Sequence, residues 1–474
     1  MKAPTTLAVI ATVLSAAACQ TTPKTPANDV VAARYPLASP ADATNAADAA
    51  WQDVLRDGRL QRLVSLALVD SRDLRLAVLD AEEARAQLRV RRADQLPQVD
   101  SNADMTRGRA SANSAQGAGA TTQSQYSAGL ALTAFELDLF GRLRAQSRSA
   151  FETWLAAEEG RDAARIVVIS TVAEAYLAER AADERLRLTE ATLQDWQASL
   201  RLAEQLRAAG QSSGLEVAQA EGQVRTAEAD REAAIRARQV AENALVLAVG
   251  APLPTDLPAP MLLEDRPVLT ELPAGVPAEL LERRPDIRQA EHQLAAANAD
   301  VTAARAAFFP RISLTGLLGF TSGDLGDLFK GASDTWSFTP RITLPIFQGG
   351  RLKGEFDIAE IRSDKAVAAY EKTVQTAFRE VADGLAARAT FARQIDAQDG
   401  AVTAAKRRSD LSDLRFRAGV DSRLELLDAQ RQLYAARLAL VDLRAAQASA
   451  SVQLYRALGG GVAGQAAPRQ AAAM

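Results

Sequence analysis

The chain has 474 residues but few side chains suited to chemistry: it holds one cysteine, Cys19, and one histidine, His292. A lone imidazole with no second histidine or nearby cysteine does not make a zinc site. On a helix it reads as a surface or packing residue. There is no Gly-x-x-x-x-Gly-Lys-Ser/Thr loop to cradle phosphate, and no serine sits in a strand-to-helix nucleophile elbow. An enzyme would have to use scattered carboxylates, and no compact α/β pattern gathers them into a pocket. The expectation is no enzyme, no cofactor and no metal.

Two groups keep a chemical reading. Cys19 follows Ala16-Ala17-Ala18, behind Lys2 and an apolar run from Leu7 to Leu14. That order of charge, apolar stretch and small residues is an export signal, and a cysteine directly after it fits a lipoprotein box in which the thiol is acylated. An ordinary signal with an incidental cysteine fits too, since Ala16 stands where leucine is usual. Gln20, rather than aspartate, after the cysteine favours sorting to the outer membrane. The second group lies in Leu424-Glu425-Leu426-Leu427-Asp428-Ala429-Gln430-Arg431. The i, i+4 spacing puts Leu424 and Asp428 on one helix face, with Arg431 close enough for an ion pair. The same residues would also serve as the solvated face of a coiled coil.

The elements that position these groups come in two copies about 210 residues apart. Leu139-Phe140-Gly141-Arg142-Leu143 corresponds to Ile346-Phe347-Gln348-Gly349-Gly350-Arg351-Leu352. Ala209-Gly210-Gln211-Ser212-Ser213-Gly214-Leu215-Glu216 corresponds to Ala418-Gly419-Val420-Asp421-Ser422-Arg423-Leu424-Glu425. The period is far longer than a solenoid repeat, so the pattern is a duplicated half-molecule. The first half departs from the second at the chemical group: Gln219 stands in place of Asp428 and Gly222 in place of Arg431, leaving Glu216 as the acid there.

A net charge of −4 gives no reason to expect nucleic acid. Aromatics make up only 5% of a chain dominated by Ala, Leu, Arg, Glu and Gln, which is coiled-coil composition. No proline occurs between Pro97 and Pro252 or between Pro345 and Pro468. Both gaps therefore admit unbroken helix, about 100 Å of it from Gly141 to Ala209 at ~1.5 Å per residue. Gly210 and Gly419 suit the left-handed position after a helix. Ser213 and Ser422 then cap the next helix, with Glu216 and Glu425 as capping-box partners. Leu426, Ala429, Leu433, Ala436, Leu440 and Leu443 form a heptad seam, and Leu193, Trp196, Leu200 and Ala203 do likewise.

No other stretch approaches the roughly 20 apolar residues of a spanning helix. The two β-hairpin segments instead alternate apolar and polar residues, as membrane barrel strands do, most clearly in three of their four strands. Trp336, Phe338, Pro340, Ile342 and Leu344 face away from Ser337, Thr339, Arg341 and Thr343. Ile312, Leu314, Leu318 and Phe320 face away from Ser313, Thr315 and Thr321. In the first copy Val99, Ala103 and Met105 alternate with Asp100, Asn102 and Asp104. Four strands cannot close a barrel, and open edges in lipid are costly, so several chains must share one. The competing reading is a soluble four-stranded sheet capping a coiled coil, that is, a non-pore periplasmic lipoprotein scaffold.

Together these features resemble the outer membrane efflux channel family, the TolC-like outer membrane factors, most closely its lipidated OprM- and NodT-like branch. The motifs that carry the resemblance are Glu136-Leu137-Asp138-Leu139-Phe140-Gly141, Arg283-Arg284-Pro285-Asp286-Ile287, Phe309-Pro310-Arg311-Ile312, Pro345-Ile346-Phe347-Gln348-Gly349-Gly350 and Leu424 to Gln430. It covers residues 50–458. The resemblance implies a mainly α fold with a small antiparallel β part. It implies a homotrimer in which a 12-stranded transmembrane β-barrel continues into a long α-helical periplasmic barrel. The function it implies is a passive conduit in the outer membrane for export of small molecules. Its partners would be a periplasmic adaptor protein, an inner-membrane pump, for which the OprM-like branch favours a proton-driven RND type, and outer membrane lipid.

On this reading residues 1–18 are a lipoprotein signal and 19–50 a tether. The first repeat is 51–250, with its β-hairpin at about 97–138 and its helical hairpin at about 141–249. An equatorial crossover, 251–285, joins it to the second repeat, 286–458, with hairpins at about 310–347 and 350–457. Residues 459–474 are a tail. The resemblance assigns Leu424 to an apolar gate ring, Asp428 to an acidic ring and Arg431 to an ionic latch. It makes the tips Ala208–Gly214 and Arg417–Arg423, with Gly210, Gly419, Ser213 and Ser422, the adaptor docking points.

Overall fold

The computed structural model describes residues 24–25, 49–109, 122–273 and 283–460. Cys19, most of the tether to residue 48, the β1–β2 loop 110–121, residues 274–282 of the crossover and the tail from 461 lie outside the described residues. The elements run in order α1 (Trp51–Val54), α2 (Gly58–Asp70), α3 (Arg72–Ala93), β1 (Val99–Arg109), β2 (Thr122–Leu137), α4 (Arg142–Ala208) and α5 (Gly214–Val249). The second half has α6 (Pro285–Ala306), β3 (Arg311–Ser322), β4 (Asp334–Thr343), α7 (Arg351–Arg417) and α8 (Arg423–Ala457). Helices α4 and α7 each hold 67 residues, which the proline-free gaps permit. Two compact units emerge, one of Met1–Ala27, Ala81–Ala157 and Gln289–Glu371, the other of Asn28–Asp80, Glu158–Arg288 and Lys372–Met474.

The first unit contains the sheet, ordered β1-β2-β3-β4 with every neighbouring pair antiparallel. Register aligns the alternation across all four strands. Val99, Leu132, Gly316 and Phe338 form one row, and Leu130, Leu318 and Trp336 another. This apolar face is open: Trp336 is 76% exposed and Phe338 58%. The opposite face presents Asp100, Asn102, Asp104, Ser127, Thr321 and Thr339, set by the same register. Between Leu132 and Phe135 one extra residue interrupts the β2–β3 ladder, and Ala134 takes φ +47°. Such a bulge bends the strand and increases its twist.

Where strand becomes helix, the Glu136–Arg142 motif explains itself. Arg142 donates to both Glu136 oxygens, at 2.9 and 2.6 Å, and Asp138 accepts from the Arg144 amide at 2.8 Å. Gly141 supplies the positive φ, +79°, that turns the chain into α4. Phe140 stacks on Phe309 of the second copy's motif, centroids 4.9 Å apart. His292 lies 2.9 Å from Glu152, which also accepts from Arg148 at 2.6 Å.

In the second unit a buried knot joins distant segments. Asp57, fully buried, caps α2 by accepting from the Arg59 amide at 2.8 Å, and its other oxygen accepts from Tyr176 at 2.5 Å and the Met261 amide at 2.9 Å. Burial, reinforced by the Asp57 carboxylate, pushes the Tyr176 hydroxyl well above its ordinary pKa. Leu55 bridges to Val268, and Arg284 binds Asp286, Glu380 and the Ala457 carbonyl. The crossover contains a 3-10 turn at Leu263–Asp265, anchored by Glu184, which accepts from the Leu263 amide at 2.7 Å. Further along, Leu193, Trp196, Val224 and Ala227 form a buried cluster with Leu200 and Tyr434 against it.

Candidate functional site

The two hairpin tips share a backbone turn but differ in how it is held. Gly210 and Gly419 adopt φ +72° and +73°, and a Cβ at either would meet no atom within 4 Å. Each glycine is therefore required by backbone conformation, with open space where a side chain would stand. At the first tip Ser213 caps α5 by accepting from the Glu216 amide. Glu216 does not complete a reciprocal box, because its carboxylate accepts from the Ser212 hydroxyl at 2.5 Å.

The second tip corrects the expectation of an equivalent capping box. Ser422 occupies the N-cap position, but its side chain makes no cap hydrogen bond. Asp421 instead accepts from Nε and Nη2 of Arg415, at 2.6 and 2.9 Å, and this ion pair fastens the turn. Arg415 holds the Asp421 carboxyl below the usual carboxylate range. Glu425 lies toward Arg408, 3.5 Å away.

One turn into α8, Asp428 is the centre of a polar cluster. It accepts from Arg431 at 2.7 Å, from Arg408 at 2.9 Å and from Gln432 at 3.0 Å. Arg431 and then Arg408 hold its carboxyl below its ordinary pKa. Arg408 belongs to α7, so the cluster clasps the two helices of one hairpin. Leu424, one turn back, is 55% exposed. Sequence reasoning missed Arg408, 20 residues upstream on the antiparallel helix; charge complementarity across the hairpin was the available signal.

Arg423 was also missed. It is 1% exposed, donates to both the carbonyl and the hydroxyl of Ser199, the latter at 2.9 Å, and lies over the Phe416 ring at 5.3 Å. Its Nε and Nη1 atoms are buried with no hydrogen-bond partner among the described residues. Burial lowers its pKa, opposed by the charge of Glu216.

Among the described residues no helix is long and apolar enough to cross a membrane, and no group of three or more His, Cys, Asp or Glu could hold a metal ion. The membrane-compatible surface is the open face of the sheet. A mainly helical chain with paired long hairpins and such a sheet defines the class of channel protomers that pool their strands. The model of the family described as "Outer membrane efflux protein" matches residues 63–251 and 276–460.

The chain is 44% identical over 445 residues to the probable efflux pump outer membrane protein TtgC of Pseudomonas putida, covering 93% of this chain and 91% of that protein. It is 45% identical over 412 residues to the outer membrane protein OprJ of Pseudomonas aeruginosa, covering 87% and 86%. Its fold is similar to the open state of the Neisseria gonorrhoeae MtrE outer membrane channel, with TM-score 0.85, 39% identity and coverage of 93% and 98%. A crystal structure of a Pseudomonas aeruginosa membrane protein gives TM-score 0.86 at 42% identity, covering 93% and 99%. This chain belongs to the outer membrane efflux protein family.

Proposed function

We propose that this protein is the outer membrane duct of a tripartite efflux system, a homotrimer whose twelve strands close one barrel above a shared helical tunnel. The observation that carries this reading is the sheet itself. One face is apolar and open, the other polar, and among the described residues β1 and β4 have no partner strand on their outer sides. In lipid such edges each leave a row of unpaired amides and carbonyls, at several kcal/mol per group. Closure with neighbouring copies removes the edges and turns the polar faces into a lumen. Energy for export then comes from an inner-membrane pump, of the proton-driven RND type, reached through a periplasmic adaptor. Relatives are named for toluene and antibiotic efflux, which suits small organic cargo here.

Gating is assigned to the second hairpin. Leu424 narrows the pore as an apolar ring, and the Asp428–Arg408–Arg431 cluster holds the hairpin in its closed packing. Because two guanidiniums already engage each Asp428 carboxylate, this ring acts in the closed state more as a latch than as a bare negative field. The tips at Gly210–Ser213 and Gly419–Ser422 receive the adaptor, and Cys19 carries the acyl anchor.

The test is purification from outer membranes followed by planar-bilayer recording. A trimer with ion conductance supports the duct. A chain that leaves the membrane once its acyl anchor is removed, and conducts nothing, establishes the non-pore scaffold instead.

A further inference from the structure

The two edges of the sheet carry complementary charges that nothing within the sheet answers. On the polar face of β1, Asp100, Asn102 and Asp104 stand opposite Ala131, Gly129 and Ser127 of β2, so no cation on the neighbouring strand meets either aspartate. On the polar face of β4 the one charged side chain between Thr335 and Thr343 is Arg341, opposite Ser313. The acid beside that pair, Glu136, is already engaged by Arg142 at 2.6 and 2.9 Å. Arg311, opposite Thr343, adds a second positive charge on the same face and sharpens the need for an anion.

We infer that β4 of one copy pairs with β1 of the next in the register that sets Arg341 between Asp100 and Asp104. Three independent constraints meet in this register. Direction comes first: the order β1-β2-β3-β4, antiparallel throughout, makes β1 and β4 run oppositely, so joining copies head to tail continues the alternation. Parity is the second. The apolar residues of β4 are even-numbered (Trp336, Phe338, Ile342) and those of β1 odd (Val99, Ala103, Met105). An even residue of β4 must therefore oppose an odd one of β1, because a one-residue slip would turn Trp336 into the lumen.

The third constraint is set by the strand ends. β1 begins at Val99, just after α3, and β4 ends at Thr343, just before α7, so both termini lie at the helix end of the sheet. Matching them sets Asp100 opposite Thr343 and Asn102 opposite Arg341. Arg341 then has both aspartates as diagonal neighbours, roughly 7–8 Å away and within reach of a long side chain. The inference rests on the shared-barrel reading above and adds the register and the ion pairing that select it.

The experiment uses the full-length protein in outer membranes. Thr106→Cys and Ser337→Cys in one chain are opposed across the seam in this register. Within one subunit they lie on the two outermost strands, at least about 14 Å apart at ~4.8 Å per strand spacing and further separated along the strands by the register, too far for a disulfide. Oxidation is expected to link subunits covalently in the double variant and in neither single variant, which also controls for Cys19. Arg341→Asp is expected to lose the detergent-resistant trimer, and adding Asp100→Arg with Asp104→Arg to restore it. A trimer that forms without cross-linking, or a charge reversal that the compensating changes do not rescue, overturns the seam while leaving the barrel standing. A wild-type chain that never forms a trimer overturns the barrel itself.

Discussion

Arg423, at the start of the second hairpin's return helix, donates to the backbone carbonyl and the hydroxyl of Ser199 on the first hairpin's descending helix. Two of its nitrogens are buried without a hydrogen-bond partner among the described residues. The contact therefore combines a charge-assisted hydrogen bond, typically about 1.5–3 kcal/mol, with a burial cost of similar size.

Arg423→Met should accordingly leave thermal stability within about 1 kcal/mol of the parent, while removing the polar tie between hairpins. The expected outcome is an unchanged melting temperature with a higher single-channel conductance. A large loss of stability with unaltered conductance would make Arg423 a packing residue only.

Asp428 makes a pH-dependent prediction. Its folded-state pKa is depressed by Arg431 and Arg408, so its contribution is present above the unfolded value, about 3.9, and is lost as pH falls through the folded value. Closed-state conductance should stay flat from neutral pH down to about 5 and rise only under stronger acid. Asp428→Ala should raise it wherever the parent's carboxylate is ionised and should abolish the further rise in acid. An unaltered closed state in that variant counts against the latch.

Substitution at Gly210 and Gly419 separates docking from folding. With no atom within 4 Å of a Cβ, the penalty of a bulky residue is the left-handed backbone alone, about 1–2 kcal/mol. Gly210→Trp and Gly419→Trp should assemble as trimers at near-normal levels yet fail to export, read by drug susceptibility of the host. Full export would refute the docking role.

The sheet faces offer the sharpest contrast. Trp336→Arg places a cation on the apolar face and should cost up to about 2–4 kcal/mol in insertion. Ser337→Arg, one residue along and on the polar face, should insert normally and alter ion selectivity. Equal tolerance of both, measured as outer-membrane yield, would favour a soluble sheet.

The long helices and the strand faces were legible because each is written in local pattern: proline spacing for α4 and α7, strict alternation for Trp336 to Ile342. Gly210 and Gly419 were legible for the same reason, since a positive φ has a residue-type signature. The bulge at Ala134 was not, because Leu132-Thr133-Ala134-Phe135 contains no glycine or proline to mark it. Ser422 misled because capping competes with whatever else holds the turn, and the Arg415–Asp421 pair wins there. Arg408 and Ser199 became visible only when helices distant in sequence were laid side by side.

The bonds that Asp57 makes to Tyr176 and Met261 bear on how the chain matures. Residues 204 positions apart in sequence meet around one carboxylate, so a freshly exported chain cannot complete its first repeat until the crossover that follows it has arrived. Despite its ancestry by doubling, the first repeat is not closed on itself: cut at residue 250, it would keep the Arg59 and Tyr176 bonds to that acid and lose the one to Met261 of the crossover.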